Sequence, residues 1–400
     1  MSHISTGRKV LAVSAAGIIA LSLASCASGG SSSKTSSSGT YNLGVNAELT
    51  GPVAYYGTTI RDGVQAWVTQ TNAAGGINGH KLKLTSLDNA GDTARAATNA
   101  TELATADNVI ATFGGSLDAD CTAATTAAER YKVPEACLSV AQTSPYVFSL
   151  GPNNPTAAGP VLAAVKKLAG GSSPKLALAY DNNAYGEGLD SNIAKNAPAA
   201  GITLAAAAEF DLTSADLSST SSKLIASDPD AIVITGTGSN FTGMLTSIRA
   251  AGVKVPVIWI DGTGNLASIL TVNDPNVYAF TTYTLASSTS PTGVAKDYVK
   301  AITPTIGAGK VTDASLATGE YAVGYLTATA FGKALTKCGY PCTGSQLQAI
   351  LTKLNVDLSP MVSSFDYDNA THYPYSSWYL YHVAVNGVYT KTATYAASTK

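Results

Sequence analysis

From Tyr41 onward, short apolar strand-like runs and amphipathic helical segments take turns, joined by only a few residues at a time. That alternation restricts the fold, because strand, helix and strand with short connections demand a parallel sheet covered by helices. After the run Tyr41–Val45, residues Ile60, Val64, Trp67, Val68 and Thr71 recur at helical spacing, "NAAGGINGH" breaks the helix, and "KLKLTSLD" alternates as a strand. The rhythm continues with a helix over 93–106, the strand "NVIATFGG", a helix over 120–131 and the strand "EACLSVA". A second series begins near Lys175, with "KLALAYD", "ITLAAAAEF", "DAIVITG" and "VPVIWID" as strands and helical patterns over 186–197, 214–227 and 240–251. Further on, 313–337 reads as one long helix and "SSWYLYHVAV" as a strand. The expected class is α/β with two doubly wound lobes, and 400 residues at 45% hydrophobic content suffice for two cores.

The N-terminal stretch stands outside this pattern. Arg8 and Lys9 precede an uncharged run over 10–24, too short to span a membrane comfortably but the right length for a secretory signal. It ends in "LASC", residues 23–26, which resembles the lipobox of bacterial lipoproteins. The resemblance implies a signal peptide over 1–25, cleavage before Cys26 and acylation of its sulfur; a small-residue cleavage site with an incidental cysteine is the alternative. Residues 26–40, rich in Ser and Gly, then form a flexible tether. The expected location is the extracytoplasmic face of the cell membrane, with contact through lipid alone.

Four cysteines remain for an oxidising compartment. Cys338 and Cys342 flank a Gly and a Pro, a turn that brings two Cα atoms into bridging range. Cys121 and Cys137 are left as a second pair by arithmetic. A zinc site is the competing reading, but His3, His80, His372 and His382 are scattered and none falls at ligand spacing, so no metal and no cofactor are expected. Charged residues are 12% of the chain, about half the usual share, and the net charge is −2, so nucleic acid is not an expected partner.

In open parallel sheets a ligand lies beyond the carboxyl ends of the strands. That rule selects the loops 51–57, 88–92, 114–118 and 139–143 in the first series, and 181–185, 236–240 and 261–264 in the second. None carries a nucleophile elbow, a zincin motif or a phosphate loop: "TIGAGKVT" has Pro304 where the first Gly belongs, and "GTGSNFTG" has the wrong dinucleotide spacing. What the loops offer is binding chemistry. Hydroxyls of Tyr56, Thr143 and Tyr185, amides at helix starts and the carboxylates of Asp118 and Asp261 suit a small zwitterion. Taken singly, either tyrosine is more often a packing residue with a wet hydroxyl, and Asp261 could be a helix N-cap.

The stretch "AELTGPVAYYGTTIRDGVQAWVTQTNAAGGINGHKLKLTSLDNAGD" resembles the opening of the leucine/isoleucine/valine-binding protein family, the type I solute receptors of ABC transporters, and "VPEACLSVAQTSP", "YDNNAYGEGL" and "IWIDGTGN" continue the likeness. The resemblance implies two lobes joined by three crossovers, with 41–153 plus 287–366 as lobe one and 154–286 plus 367–396 as lobe two. It implies a monomer that delivers a small solute, an amino acid or related metabolite, to permease subunits and is not an enzyme. By position, Tyr56 matches a tyrosine against the ligand side chain, Ala141 and Thr143 the groups that hold carboxylate and ammonium, Tyr185 an aromatic lid, and Asp261 an acid that pairs with the ammonium. Two positions depart from the pattern. Asp118 stands where branched-chain receptors have a serine on the carboxylate, and Gly238 where they have a second tyrosine, so leucine and valine are poor expectations and a more positive, amide-like or larger solute fits better. An extracytoplasmic sensor on the same fold, with an amide- or amine-type ligand, and a hydrolase that borrowed the fold are the competing functions.

Overall fold

A computed structural model describes residues 39–138, 144–151, 154–261, 263–269, 271–368, 372–384 and 388–397. The strand runs assemble into two separate sheets, whose central strands bury both faces and need helices above and below them. The first sheet holds β1 (Thr40–Ala47), β2 (Lys81–Asp88), β3 (Ala111–Phe113), β4 (Glu135–Cys137) and β5 (Val147–Ser149), all parallel, in the order β2-β1-β3-β4-β5. The second begins with β6 (Lys175–Asp181), β7 (Thr203–Phe210), β8 (Ala231–Ile234), β9 (Val257–Trp259) and β10 (Val277–Thr281). These pair in the order β7-β6-β8-β9-β10, again parallel, which repeats the topology of the first sheet strand for strand.

The chain passes between the two cores three times. It leaves the first after β5 and enters the second with the helix Asn154–Ala169, whose Ala157, Val161 and Val165 are fully buried there. After β10 it returns: the helices Gly293–Ile306, Gly319–Cys338 and Gly344–Leu351 bury Tyr298, Val323, Phe331 and Leu347 in the first core. The hairpin β11 (Asn355–Leu358) and β12 (Val362–Asp366) follows. The last crossing leads to β13 (Ser377–Ala384) and β14 (Val388–Ala396), which extend the second sheet antiparallel beyond β10. No helix among the described residues is long and apolar enough to cross a membrane.

Several elements differ from the sequence expectation for identifiable reasons. The pattern over 313–337 is two helices, Asp313–Leu316 and Gly319–Cys338, because Thr318 between them is extended, and Gly319 then packs against the loop at Thr263 and Asn265 too closely for any side chain. "NVIATFGG" contributes only three ladder residues, since Gly114 and Gly115 at positive φ turn the chain away. Both cysteine pairs are bridged, Cys338–Cys342 with Cα atoms 5.8 Å apart and Cys121–Cys137 with Cα atoms 6.2 Å apart.

Candidate functional site

In a sheet of order 2-1-3-4-5 the strand order reverses between the first and third strands, and a crevice opens at their carboxyl ends. Here that happens twice, at β1/β3 and at β6/β8. A cavity of about 120 Å³ lies between the two places. From the first half it is lined by Val53, Tyr56, Ser116, Leu117, Leu138 and Gly151. From the second it is lined by Asp181, Asn183, Tyr185, Leu212, Gly236, Thr237, Asp261 and Thr263.

The two halves are wired alike. In each, the strand before the crevice ends at an acid, Glu48 just past β1 and Asp181 at the end of β6, and each acid reaches a hydroxyl in the loop after the neighbouring strand. Glu48 accepts from Ser116 Oγ at 2.8 Å, from Ser116 N at 3.1 Å and from Leu117 N at 3.3 Å. Asp181 accepts from Thr235 Oγ1, and its own amide donates back to that oxygen at 2.9 Å. In each, a Tyr-Gly step opens the next helix: Tyr56-Gly57 in Ala54–Ala73 and Tyr185-Gly186 in Ala184–Asn196. The glycines are required, because a Cβ at Gly57 would meet the backbone of Glu48 and one at Gly186 the backbone of Asp181.

The halves differ in where the acid ends up. Glu48 is fully buried beneath the wall and does not line the cavity, whereas Asp181, 2% exposed, does. Asp261 lines it too, and it is also the cap of its own turn: Oδ1 accepts from Thr263 N at 2.7 Å and from the amides of Gly264 and Asn265. Asp261 thus braces the turn over 263–265 while lining the cavity, and it caps no helix, since the next helical turn begins at Leu266. Burial raises the carboxyls of Asp181 and Asp261 above the usual carboxylate range, against the pull of these hydrogen bonds. Behind Asp261, the buried Glu320 accepts from Thr263 Oγ1 at 3.1 Å and from Asn265 Nδ2 at 3.2 Å; burial, with the charge of Asp261, pushes it up to about 8. Asn265 Nδ2 also donates to Tyr55 Oη at 2.9 Å, so the loop after β9 is tied to the first half of the molecule across the cleft.

Of the residues singled out in the sequence, the structure brings Tyr56, Tyr185 and Asp261 to one cavity. Asp118 is not among the lining residues. It is half-buried in the first turn of the helix Asp118–Tyr131, where its charge acts on Tyr373 instead, and Ser116 and Leu117 line the cavity in its place. Gly238 is not among the lining residues either. A Cβ there would collide with Ser268, so the space expected to be vacant is already filled from thirty residues away, and Gly236 and Thr237 line the wall. Ala141 and Thr143 lie outside the described residues. Asp88, in a loop selected as ligand-facing, braces the neighbouring loop by accepting from Leu49 N at 2.9 Å and Thr50 Oγ1 at 2.6 Å. Sequence reasoning missed Glu48 and Glu320 and gave Asp181, although inside the selected loop 181–185, no role; the signal for Glu48 and Asp181 was the acid, then Tyr-Gly, repeated in "ELTGPVAYYG" and "DNNAYG".

With fold and cleft in view, comparison with known proteins places the chain. It belongs to the periplasmic binding protein family, whose model matches residues 40–388. It is 26% identical over 239 residues to the Leu/Ile/Val-binding protein of Citrobacter freundii, covering 56% of this chain and 62% of that one. It is 27% identical over 254 residues to the leucine-, isoleucine-, valine-, threonine- and alanine-binding protein of Pseudomonas aeruginosa, covering 60% and 66%. The aligned part thus spans somewhat less than two thirds of these relatives. Among solved structures, the branched-chain amino acid transporter substrate-binding protein LivJ of Streptococcus pneumoniae, in complex with isoleucine, has a TM-score of 0.71 at 22% identity, covering 90% of this chain and 99% of that one. A solute-binding protein of an ABC transporter from Rhodopseudomonas palustris, in complex with 4-hydroxybenzoate, has a TM-score of 0.74 at 19% identity, covering 90% and 98%. These establish the type I fold of two α/β halves.

Proposed function

We propose that the chain is the solute receptor of an ABC importer, anchored by lipid at Cys26 on the extracytoplasmic face, and that it binds an amino acid or related small polar metabolite by hinge closure. The observation that carries this reading is the cavity at the twin switch points, lined from both halves, with Tyr56 on one side and Tyr185 and Asp261 on the other. A solute that touches both halves favours the closed arrangement by the difference in its affinity for closed and open forms, and closure is then what permease subunits recognise. The chain acts as a monomeric carrier in this scheme and breaks no bond. A thermal-shift screen of the full chain in detergent, against amino acids, amides, amines, urea and aromatic acids, tests it. A solute at about 100 times its dissociation constant adds roughly 2.7 kcal/mol of stability, a shift of several degrees. No shift with any class contradicts the receptor reading. Mass spectrometry of the membrane-extracted protein tests the anchor: an acylated Cys26 is expected, and an intact signal or an unmodified Cys26 contradicts it.

A further inference from the structure

We infer that the cleft selects a small organic cation that carries no carboxylate, of the alkylamine or amidine class. The inference rests on the receptor reading and narrows its solute. The first observation is charge. Asp181 and Asp261 are 2% and 9% exposed and both line the cavity, while no Lys, Arg or His is among the described residues that line it. Two carboxylates held out of water without a counter-charge resist ionisation, and a bound cation relieves both.

The second observation concerns the groups that would hold an anion. A ligand carboxylate docks on unpaired amides at helix starts. Around this cleft the helices Ala54–Ala73 and Asp118–Tyr131 start without a side-chain cap, the second with Asp118 and Asp120 in its first turn, while four other groups of amides, at helix starts and turns, are already filled by the protein's own oxygens. Glu48 takes the amides of Ser116 and Leu117, and Asn183 Oδ1 takes those of Tyr185 at 2.8 Å and Gly186 at 3.1 Å. Thr237 Oγ1 takes that of Asn240 at 3.2 Å, and Asp261 those of the turn that follows it. An entering carboxylate must evict an oxygen at any of the four, and at two of them that oxygen belongs to another carboxylate. The third observation is shape. Tyr56 and Tyr185 line the same cavity, and tyrosine rings attract cations on their faces. Its volume of about 120 Å³ is slightly less than that of a cavity known to admit benzene, about 150 Å³.

The test uses matched solutes on the full chain in detergent, by calorimetry and thermal shift: isobutylamine, valine and isovalerate, which share one branched skeleton, and benzamidine with benzoate. The expected result is binding of isobutylamine or benzamidine, with valine, isovalerate and benzoate weaker by about tenfold or more. Asp181→Asn and Asp261→Asn should each weaken the bound cation by about a hundredfold. Should Asp261→Asn unfold through loss of its turn, Asp181→Asn carries the test. Tighter binding of valine or of either carboxylate overturns the inference and leaves the receptor reading standing, as does unchanged cation affinity in the folded variants. No binding by any of the five also overturns it, and the wider screen then decides the receptor reading separately.

Discussion

The two halves of the cleft start from the same plan and reach different chemistry. Each places an acid at the end of its first strand, a hydroxyl after its third and a Tyr-Gly step at the start of its first helix. In the first half the acid is Glu48, whose extra methylene carries the carboxylate across to the amides of Ser116 and Leu117 and out of the cavity. In the second half the acid is Asp181, which reaches Thr235 and remains in the wall. One carboxylate satisfies backbone and the other faces the cavity. The comparison teaches that, on a repeated α/β frame, side-chain length at one strand end decides which half supplies charge and which supplies shape.

The largest expected effects come from the glycines that both halves require. Gly57→Val and Gly186→Val would drive side-chain carbons into the backbone of Glu48 and Asp181, so each should destabilise the protein by about 3 kcal/mol or more in denaturant titrations. A loss in one half only would break the claimed equivalence. Next comes Glu48→Ala, which strips the acceptor from two amides and a hydroxyl and should cost about 3 kcal/mol. Glu48→Gln should cost less and, by removing the charge beside the helix start, should raise the affinity for valine relative to isobutylamine. An unchanged ratio would show that this nest does not set specificity.

A smaller effect is expected from pH. Glu320 and Glu135 are fully buried, the latter within 4.8 Å of the Cys121–Cys137 sulfurs, and burial pushes each from an ordinary 4.5 up to about 8. Between those values the folded protein keeps protons that the unfolded chain has released, so stability is full below about 4.5 and falls as pH rises to about 8. Melting temperature should therefore decline from pH 5 to pH 8.5, and Glu320→Gln should flatten the decline. A variant with the same slope as the parent would place the titration elsewhere. The smallest expected effect belongs to Asn265→Ala, which cuts the tie to Tyr55 and Glu320 and should cost about 1 kcal/mol. It should also speed solute release in stopped-flow measurements, and an unchanged rate would show that this tie does not restrain opening.

Much of the frame was legible in the sequence, because period and chain punctuation are local signals. The first strand, its long helix and the second-series strands all show in the apolar pattern. β14 did not show, since "VYTKTATYA" is an exposed edge strand with Thr and Lys in place of apolar residues. The helix Gly293–Ile306 did not show either, with Pro304 inside its last turn. In the cleft, Tyr56, Tyr185 and Asp261 could be placed because they sit in strand-to-helix gaps. That Asp118 and Gly238 do not line the cavity has a different origin. Whether a residue in such a gap faces the cavity depends on partners far away in sequence, Glu48 for the loop at Ser116 and Ser268 for the helix at Gly238. Glu320 was illegible for the same reason, being brought behind Asp261 only by the second crossing of the chain.

The most direct test of this account is a crystal structure of the full chain with whichever amine or amidine binds best in the matched series. The account predicts its nitrogen between the carboxylates of Asp181 and Asp261, with Glu48 still on the amides of Ser116 and Leu117. A solute carboxylate seated on those amides, with Glu48 displaced, or a nitrogen that touches neither aspartate, would contradict it.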